Sequence, residues 1–133
     1  MEPQSKLKME PIVIDQPGMR VTIVHRHGLG GNDEGLTFDV TSAGTGEEVR
    51  ILRFDCFYNN PHYHIGPNGG EAAAFKMKDE GIDDSVRWTL TQLKTRLPAL
   101  IKQAGFDAVA DKVDQTALAD QLTRREAEIL ARY

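Results

Sequence analysis

No apolar run in this sequence approaches the ~20 residues that a helix needs to span a bilayer, so no membrane helix is predicted. The start, MEPQSKLKMEPIVID, lacks the apolar core of a secretory leader. The chain is therefore read as cytoplasmic, with residues 1–10 as a loose tail. There is one cysteine, Cys56, which excludes an intrachain disulfide and any multi-cysteine zinc site. There is no excess of positive charge: 16 Lys and Arg stand against 20 Asp and Glu. That balance excludes the broad basic surface of a general nucleic-acid coat protein, though not a local basic site. Gly28 to Gly35 is glycine-rich but lacks the Gly-Lys-Ser/Thr ending of a phosphate loop, and a strand pattern follows it. It reads as a flexible hairpin connection. No repeat or shift in composition divides the 133 residues, a length suited to one domain.

The pattern that is present changes period once. Ile12 to Ile14 is a short apolar run ended by the turn Gln16-Pro17-Gly18. Met19 to His27 alternates, with Met19, Val21, Ile23, His25 and His27 on one face and Arg20, Thr22, Val24 and Arg26 on the other. Leu36, Phe38 and Val40 alternate with Thr37, Asp39 and Thr41, and a turn at Ser42 to Glu48 leads to strands at Val49–Phe57 and His62–Ile65. Short connections predict an antiparallel meander over 11–66, ended by Gly66 to Gly70. Glu71 to Asp84 reads only as a connector. Val86, Leu90, Leu93, Leu97, Leu100 and Ile101 then recur at three and four, the spacing of an amphipathic helix. Asp83, Asp84 and Ser85 suit its start and Pro98 should kink or divide it. Phe106 to Val113 and Thr116 to Tyr133 follow as further helices. The prediction is α+β: four to five antiparallel strands, then two to three helices over 84–133 packed on the sheet. The apolar stripe of the last helix also predicts a homodimer, if another copy covers it.

Reactive groups concentrate at Arg53 to Pro67. Arg53 and Asp55 precede the turn Tyr58-Asn59-Asn60-Pro61, and His62 and His64 follow it. Residues two apart on a strand share a face. If Leu52, Phe54, Cys56, Tyr63 and Ile65 turn inward, then Arg53, Asp55, His62 and His64 turn outward together. Cys56 is then a buried small hydrophobe. A slip of one residue would separate the acid from the histidines.

Three readings of this set stay open. The first is acid–base chemistry at a phosphodiester, with Arg53 holding a phosphate and Asp55 orienting a histidine among Asp55, His62 and His64. The second is a divalent metal on His62 and His64, with Asp55 or Glu71 as the acid. The third is a set of cross-strand polar pairs on the solvated face of a non-catalytic interaction module. A cupin is excluded. Its acid follows the histidine pair after three or four residues, whereas Glu71 follows His64 after six, and no histidine lies beyond His64. Trp88 is read as a core or interface residue, and Arg124, Arg125 and Arg132 as a solvated helix face.

Over RFDCFYNNPHYHIGPNGGE the chain resembles the TumE-like toxin family of bacterial toxin–antitoxin pairs. Arg53, Phe54 and Asp55 match that family's Arg-Tyr-Asp strand, His62 and His64 match its His-x-His strand, and Gly66 and Glu71 its following Gly and Glu. Cys56 stands where the family usually has Asn, and the turn differs. The resemblance implies a small toxin-like protein acting on RNA or a nucleotide through Arg53, Asp55, His62 and His64. It also implies an antitoxin-like protein partner.

Overall fold

The computed structural model describes residues 10–28, 32–43, 48–66 and 74–133. Its strands are β1 (Ile12–Gln16), β2 (Met19–His27), β3 (Glu34–Ser42), β4 (Arg50–Phe57), β5 (His62–Ile65) and β6 (Ala74–Lys76). They form one six-stranded antiparallel sheet in sequential order. A 3-10 turn at Lys78–Glu80 leads to four helices: α1 (Ser85–Thr95), α2 (Leu97–Gln103), α3 (Asp107–Lys112) and α4 (Gln115–Ala131). The α+β class is as predicted, and no strand follows residue 84.

Two expectations are corrected. Among the described residues the sheet has six strands, not four or five, because it does not end at Gly66. Ala74 to Lys76, read as connector, pairs with β5 in the register His62↔Lys76, Tyr63↔Phe75 and His64↔Ala74. Three residues are too few to display an alternation, so the strand is specified by tertiary contact. Phe75 stacks on Tyr63 with ring centroids 5.1 Å apart. The helices number four rather than two or three, because Pro98 divides the first pattern and leaves two helices, not one kinked helix. The gap is bridged by a side chain. Gln115 accepts from the Leu97 N–H at 3.0 Å and donates to the Leu93 carbonyl at 3.0 Å. Its amide thus stands in for the backbone bond that would have joined those two groups.

The helices lie on one face of the sheet. Ile12, Met19, Val21, Ile23, Leu36, Phe38, Val40, Leu52, Phe54 and Cys56 form a single buried core with Val86, Leu90, Leu93, Leu97, Ile101, Leu118, Leu122 and Ile129. Asp84 and Asp114 cap α1 and α4 by accepting from the N–H groups of Arg87 and Ala117. The apolar stripe of α4, which motivated the homodimer, is covered within the chain itself. Trp88 packs against Phe54 and Tyr63. Arg125 and Arg132 both contact Glu128 on the outside of α4, and Arg124 is exposed there. Each buried large apolar side chain contributes about 1.5–3 kcal/mol. That fixes the parity of β1 to β4, and with it the residues they leave on the helix-free face.

Candidate functional site

Parity sends Arg26, Thr37, Asp39, Arg53, Asp55, His62 and His64 to the face away from the helices. In the register, Thr37 lies opposite Asp55 on β4, Asp39 opposite Arg53, Asp55 opposite His62 on β5, and Arg53 opposite His64. The parity of β5 is held from behind. Tyr63 stacks on Phe54 at 5.7 Å and lies 5.2 Å from Trp88, and its hydroxyl donates to Glu80 at 2.9 Å. Desolvation and that carboxylate push the Tyr63 hydroxyl up to about 12. With Tyr63 anchored, His62 and His64 must project from the other side.

Asp55 is the centre of the cluster and is 2% exposed, so its charge depends on its neighbours. Its two oxygens are divided. Oδ1 accepts from the Thr37 hydroxyl at 2.9 Å and lies 3.7 Å from Arg26 Nε. Oδ2 lies 3.2 Å from His62 Nε2 and 3.7 Å from His64 Nε2. Burial by itself would raise the Asp55 carboxyl. The hydrogen bonds from His62 and Thr37 and the charges of His62 and Arg26 outweigh it and hold the group below its ordinary value. His62 is raised, first by its hydrogen bond to Asp55, against the opposing effect of burial. His64 is lowered, first by burial and then by the charge of His62. Two imidazoles on one carboxylate are therefore driven apart, one toward its charged form and one toward its neutral form.

His62 is also held from behind. Its Nδ1 lies 2.9 Å from the Asn60 carbonyl, which can only accept, so Nδ1 carries a proton. Asn60 is held in turn by Asp33, whose carboxylate accepts from the N–H groups of Asn60 at 2.8 Å, Asn59 at 3.0 Å and Glu34 at 2.9 Å. Burial would raise Asp33, and these backbone donors bring it below its ordinary value. The turn between β4 and β5 is thus fixed to Asp33, the residue before β3.

Arg26, Arg50, Arg53, Asp55, Phe57, His62 and His64 line one open cavity of about 460 Å³. Arg53 is committed to Asp39, with contacts of 2.7 and 3.2 Å. Arg26 lies 5.9 Å over the Phe57 ring, and its buried Nε has no hydrogen-bond partner among the described residues. Burial and then the charge of Arg53 lower the Arg50 guanidinium from its ordinary value. Crowded like charges with spare donors are relieved by an anion.

The structure brings Arg53, Asp55, His62 and His64 together, as the alternation predicts. Glu71 lies outside the described residues. His25 and His27 belong to the opposite face, where His25 Nε2 lies 3.3 Å from Glu34. Cys56 is fully buried beside Thr89, and burial pushes its thiol up to about 12, so it is not a reactive group. Arg26, Asp33, Thr37 and Arg50 were missed. Arg26 and Thr37 were legible once β2, β3 and β4 were placed side by side, because both stand on the polar side of their alternations. Arg50 was not. Strict alternation puts it with Leu52 on the inner face, but a register shift between Val40 and Thr41 sets Arg50 opposite Thr41 and into the cavity.

The pairing of Asp55 with His62 carries a pH signature. Asp55 lies below its unfolded value of about 3.9, so its contribution is present above that pH and lost as pH falls through the folded value. His62 lies above its unfolded value of about 6.5, so its contribution is complete below that pH and lost as pH rises through the folded value. Both act between about pH 4 and 6.5. His64, whose charged form burial disfavours, contributes with the opposite sign. Asp55→Asn is expected to cost about 3 kcal/mol in that window, the effect of breaking a buried pair. The loss should be smaller well above and well below it. Denaturant melts across pH check this, and a loss independent of pH would contradict the pairing.

These features define a class: an α+β protein with a one-sided antiparallel sheet whose open face carries a carboxylate, two imidazoles and a group of arginines. The chain belongs to the DUF7700 family, described as a domain of unknown function, whose model matches residues 13–129. No curated protein and no solved structure matches it. Among the described residues, no helix is long and apolar enough to cross a membrane.

Proposed function

We propose that this is a cytoplasmic enzyme that cleaves or transfers a phosphodiester of RNA or of a nucleotide, with its reactive centre at Asp55, His62 and His64. One observation carries the reading: a carboxylate–imidazole cluster and several guanidinium groups share the wall of a single open cavity. Guanidinium groups match the charge and geometry of a phosphate. Imidazoles and a fixed carboxylate supply charge stabilisation and proton movement at the bond that breaks. Arg26 and Arg50 are assigned to the phosphate, since Arg53 is paired with Asp39. Arg53 then acts through position and field. The resemblance of Arg53–Asp55 and His62–His64 to the TumE-like toxins supports the same substrate class. It also supports an antitoxin-like protein as the natural partner.

The test is incubation of the full chain with single-stranded RNA and with nucleotides, followed by separation of the products. Cleavage or transfer by the wild type is expected. Arg50→Ala is expected to raise KM about tenfold with kcat little changed, the effect of losing a charged hydrogen bond to bound phosphate. An unchanged KM would remove Arg50 from that role, and no turnover of any phosphodiester would end the reading.

A further inference from the structure

We infer that Asp55, His62 and His64 bind one divalent first-row transition-metal ion, zinc foremost, at the cavity they share with the arginines. The inference rests on the phosphodiester reading for the use of the ion, while the site itself stands on geometry. All three residues sit on adjacent paired strands rather than on loops, with Asp55 directly opposite His62 and His64 next on the same face. Their ligating atoms all lie within 4.8 Å of one another. Two ligands on a tetrahedral zinc ion, each about 2.0–2.1 Å from it, stand about 3.3–3.4 Å apart. Asp55 Oδ2 is 3.2 Å from His62 Nε2 and 3.7 Å from His64 Nε2, so the carboxylate is near that spacing to each imidazole, and the two imidazoles close toward one another to complete the set.

The surroundings suit a ligand set as well as the distances do. The Thr37 hydroxyl bonds Asp55 Oδ1, with Arg26 Nε 3.7 Å from the same oxygen, and Oδ2 is left to the side of the histidines. The Asn60 carbonyl fixes one proton of His62 on Nδ1, so the ion displaces the proton on Nε2, and the nitrogen facing Asp55 is the one that presents a lone pair. A backbone carbonyl on the far nitrogen is the usual support of a metal-binding imidazole. Two histidines and one carboxylate fill three positions and leave the remainder open to the cavity, the arrangement of a reactive rather than a purely structural ion. The nearby guanidinium groups would oppose a bare cation. They favour one that carries an anion on its open side, so metal and phosphate should assist each other.

The test uses the full chain without a polyhistidine tag, stripped with chelator and titrated with zinc chloride in a calorimeter, with bound zinc counted by elemental analysis. One equivalent is expected. His62→Ala and Asp55→Asn should each weaken uptake at least about 100-fold, and His27→Ala, on the opposite face, should leave it unchanged. If His62→Ala does not fold, His64→Gln serves in its place. No stoichiometric uptake, or uptake that survives loss of His62 or His64, would overturn the site. RNA turnover is measured on the same samples. Uptake without turnover keeps the metal site and ends the phosphodiester reading; turnover without uptake does the reverse.

Discussion

Gly35→Ala is expected to destabilise the protein by about 3 kcal/mol, the upper part of the usual range for overpacking, and to disrupt the cavity at lower denaturant than it unfolds the chain. Gly35 lies in β3, opposite Arg26 on β2 and Phe57 on β4. A Cβ there would stand 2.2 Å from the Cys56 carbonyl oxygen and 2.9 Å from the Phe57 Cα. Both obstacles are backbone, so no rotamer change relieves them and β3 and β4 must separate. That movement breaks the register Leu36↔Cys56 and Thr37↔Asp55, which sets the Thr37 hydroxyl on the Asp55 carboxylate. It also removes the bare stretch of strand over which Arg26 lies between Phe57 and Asp55. Urea unfolding of the two proteins measures the loss. Wild-type stability in Gly35→Ala would show that β3 and β4 yield more easily than their spacing implies.

Much of this arrangement was legible from alternation alone. Leu52, Phe54 and Cys56 gain by burial, and the same two-residue period that turns them inward turns Arg53 and Asp55 outward. Tyr63 does the same for His62 and His64. What alternation cannot supply is any event that interrupts it. The register shift at Val40–Thr41 re-aims Arg50 without a mark in the sequence, since neither glycine nor proline stands at the irregularity. β6 was hidden because three residues carry no period. Asp33 reads as part of a flexible connection for its glycine neighbours, yet besides the N–H of its neighbour Glu34 its carboxylate gathers those of Asn59 and Asn60 in the turn between β4 and β5. The contacts with Asn59 and Asn60 span 26 and 27 positions, which local pattern does not record.

His64→Ala should separate function from folding. His64 makes no close hydrogen bond to the described residues: Asp55 is 3.7 Å away, and Nδ1 is buried with no partner among them. Burial disfavours its charged form, so the fold gains little from the imidazole. Its position beside Asp55, His62 and the arginines is what a reactive centre requires and a stable sheet does not. The substitution therefore removes one of the groups that act on the bond, a loss of at least about 100-fold in turnover, while the melting temperature moves little. Loss of Phe54, which is fully buried in the core, would do the opposite by costing stability on the order of 3–5 kcal/mol.

The most direct measurement is the rate of cleavage of single-stranded RNA by the wild type and by His64→Ala, with melting temperatures taken on the same samples. The expected result is turnover by the wild type, at least about a 100-fold loss in the variant, and nearly equal melting temperatures. Equal rates in the two proteins, or a loss of activity that merely follows a loss of fold, would contradict a reactive centre at Asp55, His62 and His64.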